Sequence, residues 1–277
     1  MIPDTIETLC GAVVQHGSHN NRIYIMHLAE NEVHSLIAKV NCLAELRGYS
    51  KIFAKVPESA WPVFKAAGYC CEANVPRFFK GEIDGLFLGK YFSPKRKNAE
   101  LPEELQQMIA APIGRGASVA AAANQSAIEP LWVKDSPEMS ALFAGTFATY
   151  PFPVTDPGYL AEMMAAGVSY YGIREAGRLV AVAAAEIDLQ ECNVEMTDFA
   201  TDAACRGRGY ASKLLAHMER TLAGSYIKTA YTISRASSLG MNLVFKRLGY
   251  SYCGLLANNT RIGDGIESMT VWHKALQ

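Results

Sequence analysis

The sequence predicts an α+β (mixed α/β) fold: a mixed, mostly antiparallel central sheet flanked by helices, preceded by a smaller, degenerate copy of the same unit. Of the 277 residues, 50% are hydrophobic, enough for one large domain or two small ones. Segments of strand and helix periodicity alternate along the C-terminal part. The pattern Val-Phe-Lys-x-x-Gly-Tyr occurs at 63–69 and again at 244–250. This recurrence at a helix-to-strand junction indicates an internal repeat.

The N-terminal elements form the shorter copy, which we assign to residues 1–96. Strands are predicted at 22–29, 51–57, 69–80 and 84–92, and helices at 32–49 and 59–69. The next segment, 97–128, combines two prolines, glycines and an alanine run. We interpret it as a linker containing a short helix over Glu103–Ala110.

The C-terminal elements, in residues 129–277, form the longer copy. Ser136 followed by Pro137 is typical of a helix start, and Ala176-Gly177 indicates a hairpin turn. Further helices are predicted at 159–167, from Gly209 onward, and at 238–250. Strands are predicted at 131–134, 168–175, 178–188, 193–201, 227–235, 252–258 and 265–276.

The charge balance argues against nucleic acid as a partner. The chain has 26 basic and 27 acidic residues, whereas binding to phosphate backbones needs a basic face.

No secretory signal or apolar membrane span is recognisable. The seven cysteines follow no disulfide or zinc pattern, so we expect thiols in a reducing cytoplasm. His16 and His19 lack carboxylate or cysteine companions, and no metal is expected.

The turn CRGRGYA, residues 205–211, precedes an amphipathic helix. Unpaired amides at a helix start attract anions, and glycines allow a ligand to approach the backbone closely. Composition alone also allows a solvated turn with two surface arginines. The position that would carry the third glycine of a Rossmann fingerprint is Ser212, which disfavours that motif. The N-terminal copy has only Glu-Asn-Glu, residues 30–32, at the corresponding place.

Residues 206–211 match Arg/Gln-x-x-Gly-x-Gly/Ala, the acetyl-CoA signature of the GCN5-related N-acetyltransferases (GNAT). From about Glu129 onward the chain resembles that superfamily, and MNLVFKRLGY resembles its second motif. Most of the chain resembles the β-lysine N-acetyltransferases, on the segments HNNRIYIMHL, KIFAKVP, GKYFSPKR, TDFATDAACRGRGYASKLL and RASSLGMNLVFKRLGY. That family is associated with Nε-acetyl-β-lysine, a compatible solute. The resemblance implies acetyl-CoA as co-substrate, a small amine as acceptor and no membrane partner; it leaves a homodimer open.

The resemblance also implies which residues bind the co-substrate. The pyrophosphate would bind the turn amides, and the pantetheine arm would pair with the end of strand 193–201, where it splays from the next strand. A backbone N–H near Ala200 would polarise the thioester carbonyl. The implied contacts are Phe199, Ala200, Thr201, Arg206, Gly207, Arg208, Gly209, Tyr210, Ala211, Ser212 and Asn242.

Acetylation requires an amine of pKa about 10.4 to lose a proton, and a carboxylate is a suitable base. Glu195 is favoured because it lies eleven residues before Arg206, where histone-type members of the superfamily carry their base. Asp198 is the alternative, as base or ammonium anchor, and Glu186 is a third option. The period of two places Glu195 and Asp198 on opposite strand faces. Either could instead be a solvated or salt-bridged carboxylate.

Many superfamily members have a tyrosine that protonates the leaving thiolate, but the matching position is Phe245. Tyr231 or Tyr250 could replace it, or the thiolate could leave unprotonated. Substrate selection is assigned to Tyr150 and Phe152, which could flank an aliphatic amine.

Arg174 could bind a substrate carboxylate, with Arg235 as an alternative. The function alternatives are acetylation of another amine or a protein lysine, and a non-catalytic CoA-binding sensor. The N-terminal copy is expected to be a scaffold without CoA that packs against the catalytic unit or shapes the acceptor site.

Overall fold

The computed structural model describes residues 4–112 and 127–276; most of the predicted connection after Ala110 lies outside them. The N-terminal part contains β1 Thr5–Leu9, β2 Ala12–Gly17, β3 Arg22–His27, α1 Val33–Arg47, β4 Lys51–Pro57, α2 Trp61–Ala66, β5 Cys70–Phe79, β6 Ile83–Tyr91, α3 Pro94–Lys97 and α4 Glu103–Ala110. The C-terminal part contains β7 Ile128–Leu131, α5 Ser136–Thr146, α6 Pro157–Ala165, β8 Ser169–Glu175, β9 Arg178–Asp188, β10 Asn193–Thr201, α7 Tyr210–Leu222, β11 Thr229–Arg235, α8 Leu239–Arg247, β12 Ser251–Ile262 and β13 Gly265–Ala275.

One continuous sheet joins both parts, in the order β1-β2-β3-β4-β6-β5-β12-β13-β11-β10-β9-β8-β7. The pairs β3–β4 and β10–β11 are parallel, and the other pairs are antiparallel. The series β3-α1-β4-α2-β5-β6 recurs as β10-α7-β11-α8-β12-β13. The predicted α+β fold and internal repeat are therefore present, with the corresponding strands β5 and β12 side by side.

Two differences from the predicted elements have local causes. Strands β1 and β2 were not predicted; they form a hairpin whose turn, Cys10-Gly11, has positive φ at both residues, as a tight two-residue turn requires. The strand predicted at 131–134 is wrong. The pairing of β7 with β8 ends at Leu131, because the Asp135 carboxylate accepts the Trp132 N–H at 2.9 Å. Residues 133–135 then form a 3₁₀ helix.

The N-terminal sheet uses both of its faces. On one face Ile23, Ile25 and Ile52 pack against α1 and α2 in a fully buried cluster. On the other face Tyr24 and Phe53 join a second cluster that includes residues of β11, β12 and β13. Alternation along β3 and β4 therefore directs one side of this sheet toward the C-terminal part.

Within the described ranges, no helix is long and apolar enough to cross a membrane. In the same ranges, no group of three or more His, Cys, Asp or Glu side chains could hold a metal ion.

A buried polar network ties β12 to the N-terminal part. Lys51 and Glu72 form an ion pair at 2.8 Å, with 0% and 5% of their side chains exposed. The Lys51 ammonium donates to the Ala257 carbonyl at 2.8 Å, and the Glu72 carboxylate accepts the Ala257 N–H at 2.7 Å. Arg96 donates to the Asn259 carbonyl. These bonds pair the charges of Lys51 and Glu72 and hold β12 against the N-terminal part.

Replacing Lys51 by Met should lower the free energy of unfolding by about 3–5 kcal/mol, because it leaves the Glu72 carboxylate buried without its cation. Urea unfolding would measure the loss. The control is Arg178→Met, which breaks the exposed Arg178–Asp202 pair (60% and 22% exposed) and should cost at most about 1 kcal/mol. Equal effects of the two substitutions would contradict a stabilising role for the buried pair.

Candidate active site

Strands β10 and β11 separate partway along their length. They pair only over 193–195 and 229–231, with Glu195 opposite Tyr231 as the last pair. Beyond this point the predicted splay is present, and backbone groups of β10 are left for another partner. A cavity of about 620 Å³ fills the opening. We call it the CoA cavity; its walls include Thr197, Asp198, Phe199, Thr201, Thr232, Ser234 and Phe245.

A β-bulge in β10 changes where Asp198 points. The register against β9 shifts between Thr197 and Ala200, and Asp198 has φ of +53°. A bulge inserts an extra residue and breaks strict alternation. The expectation that Glu195 and Asp198 lie on opposite faces is therefore wrong, and both line one cavity.

The glycine turn lies at one end of the CoA cavity. Gly207 and Gly209 have φ of +79° and +75°, which favours glycine, and the space beside each Cα is open. The first helical bond of α7 runs from the Lys213 N–H to the Gly209 carbonyl, at 3.0 Å. The preceding amides at the start of α7 consequently lack helical acceptors. Together with the helix dipole they can bind a pyrophosphate.

Most residues predicted to bind the co-substrate line this cavity: Phe199, Thr201, Arg206, Gly207, Gly209, Tyr210, Ala211 and Ser212. Two do not. The Arg208 side chain instead pairs with Glu175 at 2.9 Å, so it adds little free charge to the turn. Ala200 is 1% exposed and belongs to the hydrophobic core.

Asn242 requires a correction, because its side chain points into the core and is 0% exposed. Its amide donates to the carbonyls of Arg235 and Ser238, at 2.9 and 2.8 Å. Its oxygen accepts bonds from Thr270 and Trp272, at 2.6 and 2.8 Å. All four hydrogen-bonding positions of the amide are thus occupied, and Asn242 holds α8 to β11 and β13 rather than contacting the CoA arm.

A second cavity, of about 680 Å³, lies between the two parts of the chain. We call it the acceptor cavity. Glu186, Glu195, Tyr231 and Phe152 line it from the C-terminal part. Residues common to both cavities mark where they meet: Tyr150, Thr197, Asp198, Ile233, Ile262 and Met269. The two cavities therefore adjoin along a shared set of side chains.

Five acidic residues line the acceptor cavity: Glu186, Asp188, Glu191, Glu195 and Asp198. Burial raises the pKa of Asp198 to about 6, although the hydrogen bond from Tyr150 opposes this and Glu195 adds to it. That bond, from the Tyr150 hydroxyl, is 2.7 Å long. Glu186 faces Glu195 across the β9–β10 pair. The Glu186 side chain is open to the cavity. Its surroundings deep in the molecule nevertheless raise its pKa to about 8, and the charges of Glu195 and Asp198 add to this rise. A carboxylate of pKa near 6 suits a base working near neutral pH.

The arginines proposed for a substrate carboxylate are already paired. Arg174 contacts Glu129, Asp135 and Glu138 and lines neither cavity; its assignment is therefore wrong. Arg235 lines the CoA cavity but pairs with Glu267 at 2.5 Å. Of the alternative proton donors, Tyr231 lines the acceptor cavity, whereas Tyr250 lines neither.

Sequence analysis allowed the N-terminal part to shape the acceptor site but did not identify the residues that do so. Arg22 and Tyr24 of β3, with Phe53 and Lys55 of β4, form the wall facing the carboxylates. The sequence held a signal: Arg22 and Lys55 are basic residues in strands that are otherwise mostly apolar on both faces, which is unusual. Only the packing of the two parts shows which cavity they face.

The comparisons with known proteins identify the family. Residues 137–250 match the acetyltransferase (GNAT) family. A β-lysine N(6)-acetyltransferase of Methanococcus maripaludis is 32% identical over 268 residues, 95% of this chain and 96% of that protein. N-acetyltransferase YodP of Bacillus subtilis is 29% identical over 270 residues, 96% of each chain. A β-lysine N(6)-acetyltransferase of Methanosarcina mazei is 36% identical over 149 residues, 54% of this chain and 55% of that protein.

The fold and the two joined cavities define an acetyl-CoA-dependent N-acetyltransferase. The chain belongs to the GNAT family, and within that family it groups with the β-lysine N(6)-acetyltransferases.

Replacing Asn242 by Leu should destabilise the protein by about 2–4 kcal/mol, because the Trp272 N–H and two carbonyls lose their partners in the core. The KM for acetyl-CoA should change less than about threefold, since direct contacts to the ligand are unaffected. Gly209→Val provides the contrast, because it alters the turn itself and should raise that KM. Thermal unfolding and initial rates would measure both effects; a large KM change in Asn242→Leu alone would restore its assignment as a CoA contact.

Proposed function

We propose that the protein transfers the acetyl group of acetyl-CoA to the ε-amine of β-lysine, forming the compatible solute Nε-acetyl-β-lysine in the cytoplasm. The observation that carries this proposal is the meeting of the two cavities at Asp198 and Tyr150. The names of two relatives support the substrate. Carboxylates of the acceptor cavity, Glu195 and Asp198 among them, would supply the negative charge that an ammonium group requires.

The turn and the separated strands would bind the donor. The amides at residues 207–212 would hold the pyrophosphate at the start of α7. The unpaired end of β10 would accept the pantetheine arm, and the Phe199 ring, which meets Phe245 edge-to-face at 5.7 Å, would cover it. The bulge at Asp198 frees backbone N–H groups that could polarise the thioester carbonyl.

Asp198 is our choice of general base over Glu195. It lies where both cavities meet, whereas Glu195 lines only the acceptor cavity and would attract the ammonium with Glu186. Asp198 would take one proton from the ammonium. The amine nitrogen then bonds to the carbonyl carbon as the C–S bond breaks, and the sulfur leaves with the electron pair. The nitrogen loses its second proton to the departing thiolate or to water, which leaves a neutral amide. Tyr150, kept neutral because burial and Asp198 raise its pKa well above the usual value, would hold the carboxylate in place.

The leaving thiolate would depart without a protein acid. Phe245 lines the CoA cavity where related enzymes carry a tyrosine, and Tyr231 lines only the acceptor cavity. A thiol pKa near 8.5 means that a thiolate can leave and be protonated by water.

An amine-library assay tests the substrate. Release of free CoA should be fastest with β-lysine, and slower with α-lysine, with diamines and with lysine-containing peptides. Mass spectrometry of the product would locate the acetyl group on the ε-nitrogen. Tight acetyl-CoA binding with no turnover of any amine would instead support a sensor, and preferential acetylation of the peptides would support a protein substrate.

The pKa of Asp198 predicts the acid side of the pH profile. Below about pH 6 the carboxylate is protonated, so kcat/KM should fall about tenfold per pH unit. Asp198→Asn should lower kcat by about 10²–10⁴-fold and abolish this inflection. Glu195→Gln is the matched control: it should weaken amine binding and leave an inflection in place. Loss of the inflection in Glu195→Gln alone would identify Glu195 as the base.

A further inference from the structure

We propose that the N-terminal part binds the carboxylate group of the acceptor, through Arg22 of β3 and Lys55 of β4. This inference rests on the proposed function, in which the acceptor carries an amine at one end and a carboxylate at the other. It assigns a substrate-recognition role to the copy that lacks the acetyl-CoA turn.

Strand alternation brings both cations to the acceptor cavity. Arg22 lies two residues from Tyr24, and Lys55 two residues from Phe53, so each pair shares a strand face. All four residues line the cavity. The Tyr24 ring lies next to both cations: its centroid is 5.3 Å from the Arg22 guanidinium carbon and 5.5 Å from the Lys55 nitrogen. Both cations therefore flank the same ring on the wall of the acceptor cavity.

Arg22 is a buried cation without an acidic partner. It is 4% exposed, and its terminal nitrogen donates to the Asn259 carbonyl at 2.8 Å and to the Thr260 hydroxyl at 3.0 Å. Its Nε atom is buried with no hydrogen-bond partner. Among the described residues, no carboxylate oxygen lies within 4.0 Å of Arg22 or Lys55. Burying a charge without a counter-ion is costly, and a substrate carboxylate would supply that counter-ion and bidentate bonds.

The two walls of the cavity therefore differ in charge. Glu186, Asp188, Glu195 and Asp198 lie on β9 and β10, and Arg22 and Lys55 lie on strands of the other part, with Lys55 donating across to the Tyr231 hydroxyl at 3.1 Å. The ammonium of an amino acid would point to the first wall and its carboxylate to the second. This arrangement should select a charged amino acid over a diamine or an amide of similar length.

The first test uses the unaltered enzyme with β-lysine and with its carboxamide. The amide keeps both amines and loses only the carboxylate charge, so its kcat/KM should be about 30-fold lower, mainly through KM. Equal kcat/KM for acid and amide would overturn the proposal. Absence of turnover with β-lysine is a failure of the proposed function instead, and the same comparison is then made with lysine and lysinamide.

The second test locates the effect. Arg22→Met should remove the preference for acid over amide, so that the two kcat/KM values agree within about threefold. The control is Arg96→Met. This substitution removes a neighbouring buried guanidinium that also donates to the Asn259 carbonyl but does not line the cavity. The Arg96→Met enzyme should keep the preference for acid over amide. Lys55→Met should reduce the preference even if Arg22→Met does not fold. The assignment would be overturned if both variants, Arg22→Met and Lys55→Met, kept the preference for acid over amide. If Arg22→Met does not fold, an unchanged preference in Lys55→Met would overturn it.

Discussion

The separation of β10 from β11 after Glu195 and Tyr231 is the constraint on which the site depends. A closed sheet would use its backbone groups internally and leave no space for a ligand. The opening places the glycine turn at one end of the CoA cavity and the acceptor cavity at the other. The bulge at Asp198 lies at their junction and turns a carboxylate toward the place where the two substrates would meet.

The joining of two similar units into one sheet creates the other half of the site. Strands β5 and β12 lie side by side, and Lys51, Glu72 and Arg96 fasten β12 in a buried network. Charged groups in such a network resist rearrangement because each one separated from its partner would be buried unpaired. The N-terminal copy therefore holds a fixed position against the catalytic copy, and its free sheet face becomes a cavity wall.

Electrostatics divides the acceptor cavity into two ends. Glu186 and Glu195 are opposite one another on neighbouring strands, and the charge of Glu195 adds to the rise in the pKa of Glu186. A cationic acceptor would relieve this repulsion, and Arg22, which pairs with no carboxylate among the described residues, would favour an acceptor that also carries a negative charge. The geometry therefore favours an amino acid with a distal amine.

The sequence by itself determined the α+β class, the repeat, the short helix Glu103–Ala110 and the glycine turn before α7, because these depend on local periodicity and on glycines with positive φ. It did not determine side-chain direction or pairing. Asn242 and Arg174 have side chains suited to bind the co-substrate and a substrate carboxylate, respectively. In the structure, Asn242 points into the core and Arg174 pairs with three carboxylates. The bulge at Asp198 and the meeting of Arg22 with the acceptor cavity arise between strands that are distant in the chain. Only the tertiary structure could decide them, since neither sheet register nor the contact of two units is encoded by local spacing.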